Sequence, residues 1–86
     1  MYIARSKQFD KRYRKLLSKV QKQFGERFKL FLNDEKHPLL HVHSLAGEYR
    51  GSRSFNVNAD VRAVFLIQDA DIIYFSAIGS HSELYE

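Results

Sequence analysis

The sequence predicts an α+β domain, with two N-terminal helices packed on one face of a four-stranded, mainly antiparallel, twisted sheet. Three observations predict it. Apolar residues among the first 32 positions recur at helical spacing, those after Pro38 alternate with period two, and the change occurs once, at Asn33-Asp34-Glu35-Lys36-His37-Pro38. Helices first and hairpin-linked strands afterwards is the α+β order, with the helices gathered on one sheet face. The 86 residues contain no repeat, low-complexity tract or linker, and read as one domain, residues 1–86.

The helical stripe comprises Phe9, Tyr13, Leu16, Leu17, Val20, Phe24, Phe28, Phe31 and Leu32. Steps of three and four place such residues on one helix face. Ser6 is positioned to cap the first helix. The period passes through position 18 without a break, so one long helix fits the pattern as well as two. A single long helix cannot bury its stripe in so small a domain, and a hairpin near Leu17-Ser18 would, with Ser18 capping the second helix. Gly25 would then lie inside that helix at a cost of about 1 kcal/mol relative to Ala, and a break at Gly25 is the alternative.

Three strands follow. Phe55 and Val57 alternate with Ser54 and Asn56; Val61, Ala63, Phe65 and Ile67 with Arg62, Val64 and Leu66; Ile73, Phe75 and Ala77 with Ile72, Tyr74 and Ile78. Both faces of the last two are largely apolar, so they belong in the centre of the sheet. Asn58-Ala59-Asp60 and Gln68-Asp69-Ala70-Asp71 are short polar joints suited to hairpins. Tyr2-Ile3-Ala4 is a candidate edge strand.

Composition excludes several classes. There are no cysteines, hence no disulfide and no thiolate metal site. An apolar share of 44% with seven Phe and five Tyr indicates a folded core rather than disorder. No stretch approaches the roughly 18–20 apolar residues of a membrane span. Arg5 and Lys7 interrupt any signal-peptide run, so a cytoplasmic protein is expected. Residues 1–31 hold ten Lys/Arg against Asp10 and Glu26, a local charge of +8, while residues 32–86 carry −4. Such asymmetry suits a polyanion or an acidic partner as well as it suits a solvated helix face.

The chain has no Gly-rich phosphate loop, no His-Glu-x-x-His and no Gly-x-Ser-x-Gly. His37, His41 and His43 are close together but lack carboxylates at ligand spacing, so no metal and no cofactor is expected. What remains is a set: His43, Arg50, Arg53, Arg62, His81 and Tyr85. Arg62 interrupts an apolar strand, and a buried arginine needs a partner. That partner is either a structural carboxylate (Asp60, Glu48 or Asp69) or a bound anion on the face opposite the helices. Such a set suits RNA cleavage by the 2′-hydroxyl. Histidine can give or take the protons, and arginine pairs with phosphate oxygens.

Four pieces in order carry a resemblance: His43-Ser44-Leu45-Ala46-Gly47, Tyr49-Arg50-Gly51-Ser52-Arg53, Asp60-Val61-Arg62-Ala63-Val64-Phe65, and Ile78-Gly79-Ser80-His81-Ser82-Glu83-Leu84-Tyr85. Together they resemble the RelE/ParE toxin superfamily, in particular its YafQ-like branch, over nearly the whole chain. The resemblance implies a RelE-like fold and the toxin of a type II toxin–antitoxin system, an endoribonuclease that cuts mRNA on the ribosome without metal. It implies as partners a cognate antitoxin, the ribosome and mRNA, and operator DNA only through the antitoxin complex. By position it makes His81 the general acid and gives His43 a base or phosphate-binding role. Arg62, Arg53 and Arg50 would bind phosphate. Tyr85 would stack on a base or assist proton transfer, and Asp60 would orient a histidine. Asn56, counted among the RNA-binding residues, stands where the branch has a second histidine. Val61 replaces an aromatic, and Ala77 replaces an arginine that Arg62 would make up for.

Two alternatives share the fold. One is a ParE-like gyrase poison, whose relatives generally lack a catalytic His/Arg set. The other is a catalytically weak homologue that acts as an antitoxin-binding or co-repressor module.

Overall fold

The computed structural model describes residues 2–69 and 71–85. A strand, β1 (Tyr2–Arg5), leads into α1 (Lys7–Lys15) and α2 (Ser18–Asn33). A 3-10 turn at Pro38–Leu40 precedes β2 (His43–Ser44), and a second one at Gly47–Tyr49 precedes β3 (Arg53–Asn56). The long strands β4 (Val61–Asp69) and β5 (Ile72–Ser80) end in a short helix, α3 (His81–Tyr85).

Ser6 caps α1 as expected: its Oγ accepts the N–H of Phe9 at 2.9 Å. The hairpin breaks at Leu16-Leu17, where both residues turn extended. Ser18 opens α2 without capping it, since Leu17 holds the cap position and no side chain bonds there. The two helices are pinned instead by Gln21, whose Nε2 donates to the carbonyl of Tyr13 at 2.8 Å. Gly25 lies within α2.

The sheet has five strands in the order β1-β5-β4-β3-β2, one more than the sequence predicts. The addition is β2, two residues long and too short to show a period. Strand β1 forms the other edge, parallel to β5, while the remaining neighbours are antiparallel. The joint predicted at Gln68–Asp71 is shorter than expected: Gln68 and Asp69 belong to β4, and β5 begins at Ile72, with Ala70 outside the described residues.

One prediction about phase is corrected. Val64 pairs with Ala77 but Phe65 pairs with Phe75, so Ser76 is an extra residue on β5. A bulge of this kind reverses the alternation beyond it. Ile73 and Phe75 join the core under the helices, and so does Ile78, whereas Ala77 joins a separate cluster with Val64 and Leu84.

The main core is aromatic. Phe9, Phe24, Phe28, Phe55 and Phe65 all lie with ring centroids 5.1–6.2 Å from Phe75. Rings tilted or edge-on at this spacing add to their area burial. Leu17 is 75% exposed, because the hairpin turn carries it off the apolar stripe.

Candidate functional site

Strand register sorts the candidate residues. His43 lies opposite Ser54, Ser54 opposite Val64, and Val64 opposite Ala77, forming one row across the sheet. Asn56 lies opposite Arg62, and Arg62 opposite Gly79, forming the next row. Val61, Ala63, Phe65 and Phe55 belong to the core under the helices, so by alternation His43, Ser54, Asn56, Arg62 and Val64 share the other face. Three strand spacings separate His43 from Ala77, about 14 Å of backbone. His43 and the β5 end that carries His81 therefore flank Arg62 from opposite sides.

Arg62 is half-buried, and its partners are backbone carbonyls rather than a carboxylate. Its Nη1 donates to Asn58 O at 3.2 Å and to Ala59 O at 3.1 Å. Asn58 builds that turn: its Oδ1 accepts the N–H groups of Asp60 at 2.9 Å and Val61 at 2.8 Å, and its Nδ2 donates to Gln23 on α2 at 2.9 Å. The sequence left open an ion pair with Asp60, Glu48 or Asp69. Among the described residues none forms. Carbonyl oxygens orient the guanidinium without cancelling its charge, which leaves it able to hold an anion.

His43 is exposed on the edge strand, and its Nδ1 lies 2.9 Å from the carbonyl of His41. A carbonyl only accepts, so the neutral ring carries its proton on Nδ1 and presents the lone pair of Nε2. His41 adopts φ 48°, a left-handed conformation that turns the chain there. The two rings lie 5.3 Å apart.

At the other end α3 folds back over the sheet. Leu84 is buried on Val64 and Ala77, with Leu45, Tyr49 and Tyr85 packed around them. The face opposite the helices is thus partly covered, and Ala77 is only 1% exposed. The His81 ring lies 4.7 Å from that of Tyr85, edge-on, and Tyr85 lies 5.9 Å from Tyr49, again edge-on. Burial raises the Tyr49 phenol above its ordinary value of 10.0, reinforced by Glu48 and Tyr85 and opposed by Arg12. Among the described residues, Ser54 Oγ, Asn56 Oδ1 and Tyr85 OH are buried without a hydrogen-bond partner.

Three expected site residues stand elsewhere. Arg53 pairs in register with Phe65 and shares the helix side. Its guanidinium lies 5.3 Å above the Phe65 ring and 4.0 Å from Glu35. Alternation along β3 puts it with Phe55, away from Arg62. Among the described residues, no hydrogen bond or ion pair joins the Asp60 carboxylate to His43 or His81, and the Asp60 N–H serves the turn instead. Arg50 is exposed at the end of the second 3-10 turn. No three His, Cys, Asp or Glu side chains among the described residues come together as a metal would require.

Helix α3 is not among the elements that the spacing of apolar residues predicts. Its signal was the spacing Ser80-x-x-Glu83, a capping box. The Glu83 Oε1 accepts the Ser80 N–H at 2.7 Å, and the Ser80 Oγ accepts the Glu83 N–H at 3.2 Å. These bonds hold the Glu83 carboxyl below its ordinary value of 4.5; burial opposes them, and Arg12 adds to them. The contribution of Tyr49 to the aromatic row is not predicted either.

Among solved structures, the fold matches YafQ from Escherichia coli BL21(DE3), with 21% identity, 98% of this chain and 97% of that one covered, and a TM-score of 0.78. It matches a copper-bound mutant toxin from Helicobacter pylori at 26% identity, 99% of both chains and a TM-score of 0.76. It also matches the E. coli DinJ–YafQ complex at 19% identity, 98% and 97% coverage and a TM-score of 0.75. A search of curated protein sequences found no match. Residues 1–86 match the family described as "Bacterial toxin of type II toxin-antitoxin system, YafQ". With the whole chain matched, the protein belongs to the YafQ family of type II toxin–antitoxin toxins.

Proposed function

We propose that this toxin is a metal-independent endoribonuclease that cuts mRNA on the ribosome, in the cytoplasm. The observation that supports it best is Arg62: a half-buried guanidinium oriented by two carbonyls, unpaired with any described carboxylate and flanked by His43 and the His81 end of the sheet. In-line attack by a 2′-hydroxyl needs a base on one side of phosphorus and an acid on the opposite side. His43 presents Nε2 as the base, and His81 donates to the 5′-oxygen. Arg62 holds the non-bridging oxygens as charge builds on them, the kind of preorganised charge that is often the largest catalytic contribution. Tyr85 and Tyr49 offer rings against which a base could stack. Asn56, beside Arg62, contributes to the RNA-facing row.

The partner in the cell is a cognate antitoxin. A YafQ relative has been solved with its antitoxin DinJ, and the +8 charge of residues 1–31 complements an acidic segment that folds on binding. Operator DNA would be reached only through that complex.

The test adds purified protein to ribosomes translating a defined message. Cleavage within the reading frame is expected, with His81→Ala reducing the rate about 100-fold or more. An intact message in the presence of folded, ribosome-bound protein overturns the proposal. DNA damage with intact mRNA would assign the chain to gyrase instead.

A further inference from the structure

We propose that Arg12 and Glu83 are a positioning pair for His81, so that helix α1 sets the orientation of the site's histidine. This rests on the reading of His81 as the proton donor, and the experiment below separates the two.

Helix α3 has five residues. A helix this short cannot sustain itself, because nucleation costs more than a single turn returns. Its first turn is held by the capping box, in which Glu83 Oε1 takes the Ser80 N–H at 2.7 Å and Ser80 Oγ takes the Glu83 N–H at 3.2 Å. Those bonds leave Oε2 free, and Arg12 Nη1 meets it at 3.3 Å. Arg12 stands on α1, which Ser6 anchors to β5 through the Phe75 and Ser76 carbonyls. The first turn of α3 is thereby tied through α1 to β5. His81 is the first residue of that turn and is itself exposed, with its ring against Tyr85.

Gly79 supports the same arrangement. A Cβ there would stand 3.1 Å from Glu83 Oε1 and 3.4 Å from Arg12 Nη1. The absent side chain leaves the space into which the pair closes. Arg12 is half-buried and Glu83 exposed, at 34% and 54%, so solvent screens the pair and it adds little to global stability. Its value lies in geometry, and a misplacement of about 1 Å at a reacting group can cost 100-fold in rate.

The experiment uses isotope-labelled full-length protein. The His81 ring protons are followed by NMR with His37, His41 and His43 as internal references, and the steady-state kcat and KM of mRNA cleavage are measured on ribosomes. Arg12→Ala and Glu83→Ala are expected to move the His81 ring resonances toward free-histidine positions as contact with Tyr85 is lost. Cleavage kcat should fall about tenfold with KM nearly unchanged and the unfolding midpoint little altered. Arg12→Lys should restore most of the rate, and the double variant should be no worse than Glu83→Ala alone. Glu83→Gln keeps an acceptor for Ser80 but loses the ion pair, and checks the result if Glu83→Ala is poorly folded.

Unmoved His81 resonances in folded Arg12→Ala overturn the proposal, as does a loss confined to KM, which would make Arg12 an RNA contact. If the wild type cuts no message, the nuclease reading fails, and the positioning pair stands or falls on the resonances alone.

Discussion

Ser6 and Ser76 are joined by a hydrogen bond of 2.8 Å from the Ser6 hydroxyl to the Ser76 carbonyl. The same hydroxyl accepts the Phe9 N–H. One side chain therefore caps α1 and fastens it to the bulge that turns Ala77 toward the site face. Ser6→Ala is expected to destabilise the protein by about 1–2 kcal/mol, read as a lower urea midpoint. Ser6→Thr should retain most of the stability, and equal losses in both variants would remove the hydroxyl from the explanation.

Phe75 is the hub of the aromatic core, touching five other rings. Phe75→Ala should cost about 3–5 kcal/mol, a large part of the 5–15 kcal/mol that small domains have available. Denaturant unfolding checks it: a loss under 1 kcal/mol would mean that the rings close over the gap.

Arg62 and Arg53 share neighbouring strands but opposite faces, which gives a paired prediction. Arg62→Ala should lower mRNA cleavage about 100-fold while the fold persists. Arg53→Ala should leave cleavage near wild type and instead reduce stability, through loss of its stacking over Phe65. Cleavage assays and melting curves on the two variants decide it, and the reverse pattern would place the phosphate on the helix side.

Tyr85 carries a buried hydroxyl with no partner among the described residues. Removing an unsatisfied buried group is neutral or favourable. Tyr85→Phe should therefore match or slightly exceed the wild type in stability and retain cleavage, whereas Tyr85→Ala should lose it. Loss of cleavage in Tyr85→Phe would show that the hydroxyl moves a proton.

Acid should act on α3 before it acts on the core. The Glu83 carboxyl, held down first by the Ser80 N–H and then by the Ser80 hydroxyl and Arg12, titrates below its ordinary value of 4.5. Folding thus favours the charged form. Its contribution is complete above that ordinary value and disappears as the pH falls through the lower folded value. The Ser80–Tyr85 amide resonances should shift reversibly in that acid range while those of the Phe75 strand hold still. Glu83→Gln should abolish the transition, and its persistence there would assign it to another group.

The sequence by itself determined the order of elements and most of the core. Spacing of three and four from Phe9 to Leu32, then of two from Phe55 onward, separates helix from strand because burial demands one face at each period. It also placed Arg62 as an out-of-pattern charge, and His81 by resemblance. Tertiary structure alone decided the rest. The two-residue β2 exists only because β3 offers it hydrogen bonds, so no period could announce it. The bulge at Ser76 reverses which face Ala77 and Ile78 occupy, and only pairing with β4 reveals that. Arg53 and Arg62 look alike as strand arginines, yet the register sends one under the helices and the other to the site face. The Arg12–Glu83 pair joins the two ends of the chain across β5, a contact that follows from how α1 is seated and that local spacing does not encode.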